Sequence, residues 1–277
     1  MVYQSVTASQ APSSGDQDRI KQLSNASLQN FHGDLVSDFI FERIAGLAER
    51  DFGAREFSIL DVGGGTGYFA DRMLDRFPAA RVHLLDNAEF QLERNVPHPR
   101  KNLHLGSAED MLEVFGNRRF DLVCFNYVLH HLVLNSYGRT RNMQRKALSD
   151  GGALLAGGGR ISLVEHLCNS FVHSASSRLV YQLTSSRPLA PLVRKFGANT
   201  AGVGVCFLEE TSWLGNLDAV GLRVLQLSRE YVEWGLQENL RRRAIKRLLL
   251  LRSFYRGLFW AAKSDLSPNG GRSSPAV

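Results

Sequence analysis

Short apolar runs alternate with helical segments through most of the chain. Seven runs have the length and composition of strands: Phe57–Val62, Arg81–Leu85, Asn102–Leu105, Phe120–Phe125, Arg160–Val164, Leu222–Leu227 and Gly257–Ala262. Gly, Asp or Asn bounds the first five, as is typical of strand ends. Strands that alternate with helices pair in parallel through right-handed crossovers. We therefore expect an open, mostly parallel α/β sheet of seven strands with helices on both faces.

Helical periodicity also precedes the sheet. Between residues 18 and 50, apolar side chains such as Phe31, Leu35 and Phe39 recur at three- and four-residue spacing, which predicts an N-terminal helical cap. After the fifth strand, residues 168–206 are rich in proline and small residues. This stretch predicts an insertion of short helices and loops that acts as a lid. A further helix is expected over Phe207–Ala219, before the last two strands.

The two ends of the chain differ from the rest in composition. Residues 1–17 are rich in Ser, Ala, Gln and Gly and poor in large apolar groups, and we expect a disordered tail there. A second disordered tail is expected over residues 265–277. The predicted organisation is therefore a tail, the cap at 18–50, one domain at 51–264 that contains the insertion, and a final tail.

Charge is concentrated in one segment. The chain has 33 basic and 27 acidic residues, but seven of the basic residues lie between Arg241 and Arg256, where there is no acid. The rest of the chain is nearly neutral, so the broad basic face of a nucleic-acid-binding protein is not expected. Apolar and basic positions over Arg241–Arg252 predict a packed helix with a solvated basic face. Contact of residues 240–256 with a membrane surface or an acidic substrate is the alternative.

Cysteines and hydropathy bear on location. Three isolated cysteines, Cys124, Cys168 and Cys206, form no C-x-x-C pair, so neither a disulfide framework nor a metal site is expected. The N-terminus lacks the pattern of a signal peptide. The longest aliphatic run, Leu248–Leu251, is far shorter than the ~20 residues that cross a bilayer. We expect a soluble, cytoplasmic protein.

A glycine-rich loop follows the first predicted strand. Its sequence is Asp61-Val62-Gly63-Gly64-Gly65-Thr66-Gly67, and a helical segment comes next. Glycines at a strand-to-helix turn let backbone N–H groups approach a ligand closely. The dinucleotide fingerprint G-x-G-x-x-G would need a glycine where Tyr68 stands. The spacing G-x-G-x-G therefore disfavours a nicotinamide oxidoreductase, which is one alternative function.

Two acidic residues refine the ligand class. Asp61 lies two residues before the glycines, where a carboxylate would repel a pyrophosphate but suit a cation. Asp86 ends the second strand, where a carboxylate can accept hydrogen bonds from both hydroxyls of a ribose. Together they favour a positively charged aminoacyl nucleoside over a dinucleotide.

Five ordered motifs carry a family resemblance. ILDVGGGTGYF, LLDNAEF, GSAEDM, FDLVCFNYVLHHL and ALLAGGGRISLVEH resemble the successive motifs of class I S-adenosylmethionine-dependent methyltransferases. They are most similar to the small-molecule branch typified by ubiquinone and menaquinone biosynthesis enzymes. The resemblance covers residues 57–167 and implies a Rossmann-like sheet with S-adenosylmethionine as the cofactor. Five motifs in order are far more specific than one glycine loop.

The resemblance also implies cofactor-binding positions. Three regions would contact the cofactor: the first loop would hold the methionine part, the end of the second strand would hold the ribose, and a later turn would line the adenine. The implied residues are Asp61, Gly63, Gly65 and Gly67, then Asp86 and Asn87, then Ser107 and Ala108, and finally Asn126 beside the aminoacyl group. Many relatives carry Asp where Ser107 stands. Gly157–Gly159 replaces the usual Pro-Gly-Gly turn before the fifth strand.

Three titratable residues are candidates for catalysis. His130 and His131 follow the fourth strand, so at least one should overhang the methyl-transfer pocket. His131 is favoured because adjacent side chains diverge and the pattern in relatives directs one histidine to the site. An imidazole titrates near pH ~6.5, which suits removal of a hydroxyl proton. Glu165, expected at the pocket mouth, would touch substrate or orient a histidine. The alternative is a purely structural role for His130, His131 and Glu165.

These observations predict methyl transfer to a small organic acceptor. Oxygen is the favoured acceptor atom, with nitrogen or carbon as alternatives. A non-catalytic cofactor-binding protein is a second alternative. An RNA methyltransferase is a third, but the run Asn126-Tyr127-Val128-Leu129 lacks the prolines of the Asn/Asp-Pro-Pro-Tyr motif that presents an aromatic ring to a flipped base. The sequence does not specify an oligomeric state.

Overall fold

A computed structural model describes residues 4–5, 20–21, 36–196, 198–231 and 245–264. The predicted tails over 1–17 and 265–277 lie outside these ranges, except for residues 4–5. Most of the predicted cap before residue 36 also lies outside them.

Within the described residues, eight strands form one sheet. They are β1 (Gln4–Ser5), β2 (Phe57–Val62), β3 (Ala80–Asp86), β4 (Lys101–Leu105), β5 (Phe120–Asn126), β6 (Leu155–Ser170), β7 (Leu222–Glu230) and β8 (Leu251–Lys263). Their spatial order is β1-β4-β3-β2-β5-β6-β8-β7. Pairing is parallel from β1 to β6, whereas β8 pairs antiparallel with both β6 and β7. The seven predicted strands are confirmed, and β1 is a two-residue addition at the edge.

Eight α-helices connect or cover the strands in the described ranges. They are α1 (Asp38–Phe52), α2 (Tyr68–Arg76), α3 (Glu89–Leu92), α4 (Met111–Phe115), α5 (Tyr137–Ala153), α6 (Ala175–Ser185), α7 (Ala190–Lys195) and α8 (Glu210–Ala219). Two single 3-10 turns, Ala108–Asp110 and Leu129–His131, follow β4 and β5. The helices α6 and α7 occupy the predicted insertion.

Strand order places a crevice at the middle of the sheet. The chain runs from β2 outward through β3 and β4, then returns to pair β5 with the other side of β2. The segments that leave the carboxyl ends of β2 and β5 therefore diverge. In open α/β sheets this point is where ligands bind.

The core fills both faces of the sheet, as the alternating side chains of a strand require. One cluster includes Leu60 and Val123 and packs against α5 and α8, whereas the other includes Ile59 and Leu122 and packs against α1 and α2. A polar contact ties the second layer to the sheet. The carboxylate of Asp51 on α1 accepts hydrogen bonds from Arg160 Nε at 2.6 Å and from Trp260 Nε1 at 2.9 Å.

Two local features near the sheet concern α1 and the glycines before the fifth predicted strand. The helix α1 begins at Asp38, because the Ser37 side chain accepts a hydrogen bond from the Ile40 N–H and caps it there. Gly157–Gly159 was expected as a turn before the fifth strand but lies inside β6. Gly158 has φ of +76°, and the β5–β6 register shifts beside these glycines. They form an irregular start of the strand.

The basic segment also differs from its prediction. Residues 245–248 are helical, but the chain enters β8 at Leu251, so the predicted helix over Arg241–Arg252 is wrong at its end. Arg252 and Arg256 lie on a strand because β8 pairs with β6 along almost its whole length. Across the described ranges, no helix has both the length and the apolar character needed to span a bilayer.

Candidate functional site

A cavity of about 320 Å³ opens at the carboxyl ends of the central strands. Nine of the twelve predicted site residues line it: Asp61, Gly63, Gly65, Asp86, Asn87, Ser107, Ala108, Asn126 and His131. They come from the ends of β2, β3, β4 and β5, which meet at one edge because these strands are parallel. The other three predicted residues, Gly67, His130 and Glu165, do not line the cavity.

The loop after β2 folds tightly because its glycines take left-handed backbone angles. Gly63 has φ of +70° and donates its N–H to the Leu85 carbonyl at 2.7 Å. A methyl group on Gly63 would collide with the side chain of Val128. Gly67 has φ of +83° and begins α2, where a methyl group would collide with Asn95. Gly67 therefore shapes the loop without facing the cavity.

Asn95 is a loop-supporting residue that the sequence motifs did not reveal. Its side-chain amide donates to the Gly65 carbonyl at 2.8 Å and to the Gln91 carbonyl at 3.2 Å. Lys101, almost fully buried next to Gly67, pairs with Asp71 on α2 at 2.5 Å. Neither residue belongs to a recognisable motif, since their contacts depend on how α3 and β4 pack beside the loop.

Asp86 ends β3 and holds the glycine loop from the other side. One carboxylate oxygen accepts the Gly65 N–H at 2.8 Å, and the other accepts the Ala88 N–H at 2.8 Å. Burial raises the pKa of this carboxyl, although these backbone hydrogen bonds oppose the rise. The carboxylate lines the cavity. Its remaining lone pairs can accept hydrogen bonds from a pair of hydroxyl groups.

Asp61 is the most unusual group in the cavity wall. It is 1% exposed, one oxygen accepts a long hydrogen bond from the Asn126 side chain at 3.4 Å, and the other oxygen has no hydrogen-bond partner. Burial raises the pKa of Asp61 to about 7; the nearby Asp86 raises it further, whereas Asn126 and Lys101 lower it. A buried carboxylate without a partner is destabilising. A positively charged ligand would correct this.

The turn after β4 forms another wall. Ser107 precedes the 3-10 turn Ala108–Asp110, and its backbone N–H faces the Asp110 carboxylate at 3.4 Å. Ala108 begins the turn and lines the cavity with Ser107. The carboxylate of Asp110 thus serves the turn itself, in agreement with a structural role for this acid.

Glu165 lies inside the protein rather than at the pocket mouth. From the middle of β6, one of its oxygens accepts the N–H groups of Leu129 at 2.8 Å and His130 at 3.2 Å. The other oxygen lies 2.7 Å from His130 Nδ1. Glu165 and His130 are both almost completely buried, and burial raises the pKa of Glu165 to about 7. This pair fixes the 3-10 turn that places His131 in the cavity wall.

The cap and the insertion both contribute to the wall of the cavity. Ile20 and Lys21 line it from the N-terminal side, and Val203 and Gly204 line it from the insertion. The Lys21 N–H donates to the Val133 carbonyl at 2.9 Å, which fixes this segment against the turn after β5. No sequence pattern marked these four residues. Within the described residues, no cluster of three or more His, Cys, Asp or Glu could hold a metal ion.

Comparison with known proteins gives one family match. Residues 60–161 match a family model described as a methyltransferase domain. Among curated proteins, the chain is 34% identical over 100 residues to malonyl-(acyl-carrier protein) O-methyltransferase of Acetivibrio thermocellus, covering 35% of this chain and 33% of that protein. It is 30% identical over 151 residues to tRNA1(Val) (adenine(37)-N6)-methyltransferase of Porphyromonas gingivalis, covering 47% of this chain and 59% of that protein.

Solved structures extend the likeness to most of the chain. The crystal structure of Burkholderia thailandensis 1,6-didemethyltoxoflavin-N1-methyltransferase, with 1,6-didemethyltoxoflavin and S-adenosylhomocysteine bound, matches with a TM-score of 0.51 and 17% identity. The match covers 81% of this chain and 78% of that one. At this identity the likeness concerns the fold. The chain spans about a third and about three fifths of the length of the two curated relatives.

Proposed function

Since this chain carries a methyltransferase domain in a class I fold, we propose that it transfers a methyl group from S-adenosylmethionine to a small organic acceptor. The observation that carries the proposal is the unpartnered, buried carboxylate oxygen of Asp61 in the wall of the cavity. The cofactor has an ammonium group that would supply the missing cation. The five sequence motifs indicate the same family.

The remaining residues of this end of the cavity fit the rest of the cofactor. Asp86 would accept the ribose hydroxyls, with Asn87 beside it, and the Gly63–Gly67 backbone would approach the methionine part. Ser107 and Ala108 would line the adenine, whereas Asn126 would lie by the aminoacyl group. A bound sulfonium supplies an already activated methyl group, so the protein mainly has to align the acceptor and exclude water.

His131 would act on the acceptor. It lines the cavity and lies on a turn that Glu165 holds by three hydrogen-bonding contacts. When the acceptor is a hydroxyl, His131 would take its proton as the oxygen attacks the methyl carbon. His130 and Glu165 would then be positioning residues. The O-methyltransferase relative supports oxygen as the acceptor atom, with nitrogen and carbon as the alternatives.

A nucleic-acid acceptor is the second candidate, because the tRNA methyltransferase relative matches 47% of this chain. The geometry after β5 favours the small molecule. The ring of Tyr127 is 3% exposed and stacks on His166 at 4.8 Å between centroids, so one of its faces is already covered by a protein side chain. Binding of tRNA that weakens steeply with salt and competes with the acceptor would favour the second candidate.

Calorimetric titration with S-adenosylhomocysteine tests the cofactor site. The wild-type chain should bind it saturably and should not bind NAD. Asp86→Ala should weaken binding by about tenfold to hundredfold, since a hydrogen bond to a charged group contributes about 1.5–3 kcal/mol. Asp75→Ala, an exposed acid on α2, is the matched control and should bind as the wild type does.

Unchanged affinity in Asp86→Ala would refute the ribose assignment. Absence of saturable binding to the folded wild-type chain would refute the proposed function. Formation of S-adenosylhomocysteine with any acceptor would exclude a non-catalytic cofactor-binding protein. We also propose a cytoplasmic location, which the three unpaired, buried cysteines support.

A further inference from the structure

Charges of opposite sign line the cavity. The carboxylates of Asp61 and Asp86 line it beside the glycine loop. Lys21 lines it as well, together with apolar residues such as Ile20 and Val203. A partly buried ammonium is stabilised by a nearby anion. Among the residues that the structure describes, no carboxylate forms an ion pair with Lys21.

The position of Lys21 is fixed by its own backbone. Its N–H donates to the Val133 carbonyl at 2.9 Å, and Val133 follows the turn that carries His131. Lys21 therefore lies next to the segment that follows the turn carrying His131, the residue proposed to act on the acceptor. Its side chain is partly buried rather than extended into solvent.

A second cation strengthens the positive potential near Lys21. Burial lowers the pKa of Lys21, and the positive charge of Arg187 lowers it further. Arg187 lies in the insertion between α6 and α7, so cap and insertion bring like charges toward one place. Like charges that approach without an acid between them repel each other. A bound anion would remove this repulsion.

We propose that the methyl acceptor carries an anionic group, a carboxylate or a phosphate, that pairs with the ammonium of Lys21. This inference rests on the proposed function and names the substrate class of the same site. The anion would anchor the acceptor in the cavity by pairing with the ammonium of Lys21. A neutral acceptor of the same shape would leave Lys21 without a counterion.

Three matched probes test the anion site on the full chain loaded with S-adenosylhomocysteine. They are 4-hydroxyphenylacetate, 4-hydroxybenzyl phosphate and the neutral 4-hydroxyphenylacetamide, with binding followed by ligand-observed NMR. At least one anion should bind tenfold or more tightly than the amide, as expected for a charge-assisted contact. Comparison of the carboxylate with the phosphate identifies the preferred anion.

Variants test whether Lys21 causes the preference for an anionic probe. Lys21→Met should abolish the preference for the anion, whereas Lys21→Arg should retain it. Lys195→Met removes an exposed lysine on the insertion and is the matched control, with the wild-type preference expected. Affinity for S-adenosylhomocysteine should be the same in all four proteins.

The anion site would be overturned by equal binding of the amide and both anions, by a preference that survives in Lys21→Met, or by failure of all three probes to bind. In each of these cases, retained binding of S-adenosylhomocysteine leaves the proposed function standing. Loss of that binding in the wild-type chain overturns the proposed function and this inference together.

Discussion

Asp61 is the residue whose protonation should control cofactor affinity. With a pKa near 7 in the free protein, it is largely protonated at lower pH, whereas a ligand ammonium pairs only with the carboxylate. Affinity for S-adenosylhomocysteine should therefore fall by up to about tenfold per pH unit below pH ~7. Calorimetry between pH 5 and 7 measures this slope. Asp61→Asn should bind weakly with a much shallower slope.

The exposed Asp75→Asn is the control for that experiment and should reproduce the wild-type slope. Asp86, whose pKa burial also raises, accounts for any residual slope in Asp61→Asn. A full wild-type slope in Asp61→Asn would show that the pairing with the ammonium is wrong.

His131 should matter for chemistry rather than for cofactor binding. For a hydroxyl acceptor, His131→Ala should lower kcat by about 10²- to 10⁴-fold, because the proton then has no positioned base. With an acceptor that is already deprotonated, His131→Ala should lower kcat only a little. Initial rates of S-adenosylhomocysteine formation measure the effect, with the exposed His173→Ala as control. A near-wild-type rate on an established hydroxyl acceptor would remove His131 from the mechanism.

Glu165 should act through the turn that it holds. Glu165→Gln places an amide N–H₂ at one of the two oxygen positions. Either it faces the N–H groups of Leu129 and His130, which then lose their acceptor, or it faces His130 Nδ1, which must then accept instead of donate. We expect the free energy of unfolding to fall by about 1–3 kcal/mol. Urea denaturation measures this change, and the pH profile of kcat shows whether the titration of His131 shifts. Unchanged stability and profile would contradict a positioning role.

For single residues, the sequence predicts their place in the site better when a motif fixes the backbone conformation around them. Nine predicted residues line the cavity because they follow parallel strands whose ends meet. Gly67 was assigned to the right turn and Glu165 to the right strand, but both face the interior instead of the cavity. Lys21 and Asn95 were missed because their contacts join segments distant in sequence.

The turn between β2 and α2 depends on left-handed backbone angles that side chains rarely adopt. Gly63→Ala should lower the free energy of unfolding by about 2–5 kcal/mol, because a left-handed alanine costs about 1–2 kcal/mol and overpacking against Val128 adds to this. Gly138→Ala, in α5 with open space around it, is the matched control and should be neutral or stabilising by up to about 1 kcal/mol. Urea denaturation compares them, and equal effects would argue against the backbone requirement.

Strand and helix boundaries could be predicted where local pattern decides them. The strands β2 to β5 match their predicted ranges to within one residue at either end, since each is a short apolar run between polar turns. The strands β6 and β8 are much longer than predicted because each extends along the other, a pairing that local periodicity does not encode. The same pairing places Arg252, the last residue of the predicted helix, on a strand.

Across the molecule, buried acids and buried histidines have opposite effects on how stability changes with pH, because their pKa values shift in opposite directions. Burial raises the pKa of Asp61 and Glu165 to about 7, so the folded state binds more protons than the unfolded state between about pH 4 and 7, and these acids lower stability as pH rises. Burial and the charge of Arg118 lower the pKa of His83 and His104 to about 4, and these residues raise stability over pH 4 to 6.5. In the wild type, the contributions of the acids and of the histidines to the pH dependence of stability therefore partly cancel.

Asp61→Asn should isolate the contribution of Asp61 to the pH dependence of stability. The variant cannot ionise at this position, so its free energy of unfolding should gain on the wild type as pH rises from 4 to 7, by an amount on the order of 4 kcal/mol at most. Urea denaturation of both ligand-free proteins across this range measures the difference. Because the histidines are the same in both, their contribution cancels. A constant difference would mean that Asp61 keeps an ordinary pKa, and that the cavity already satisfies the charge assigned here to the cofactor.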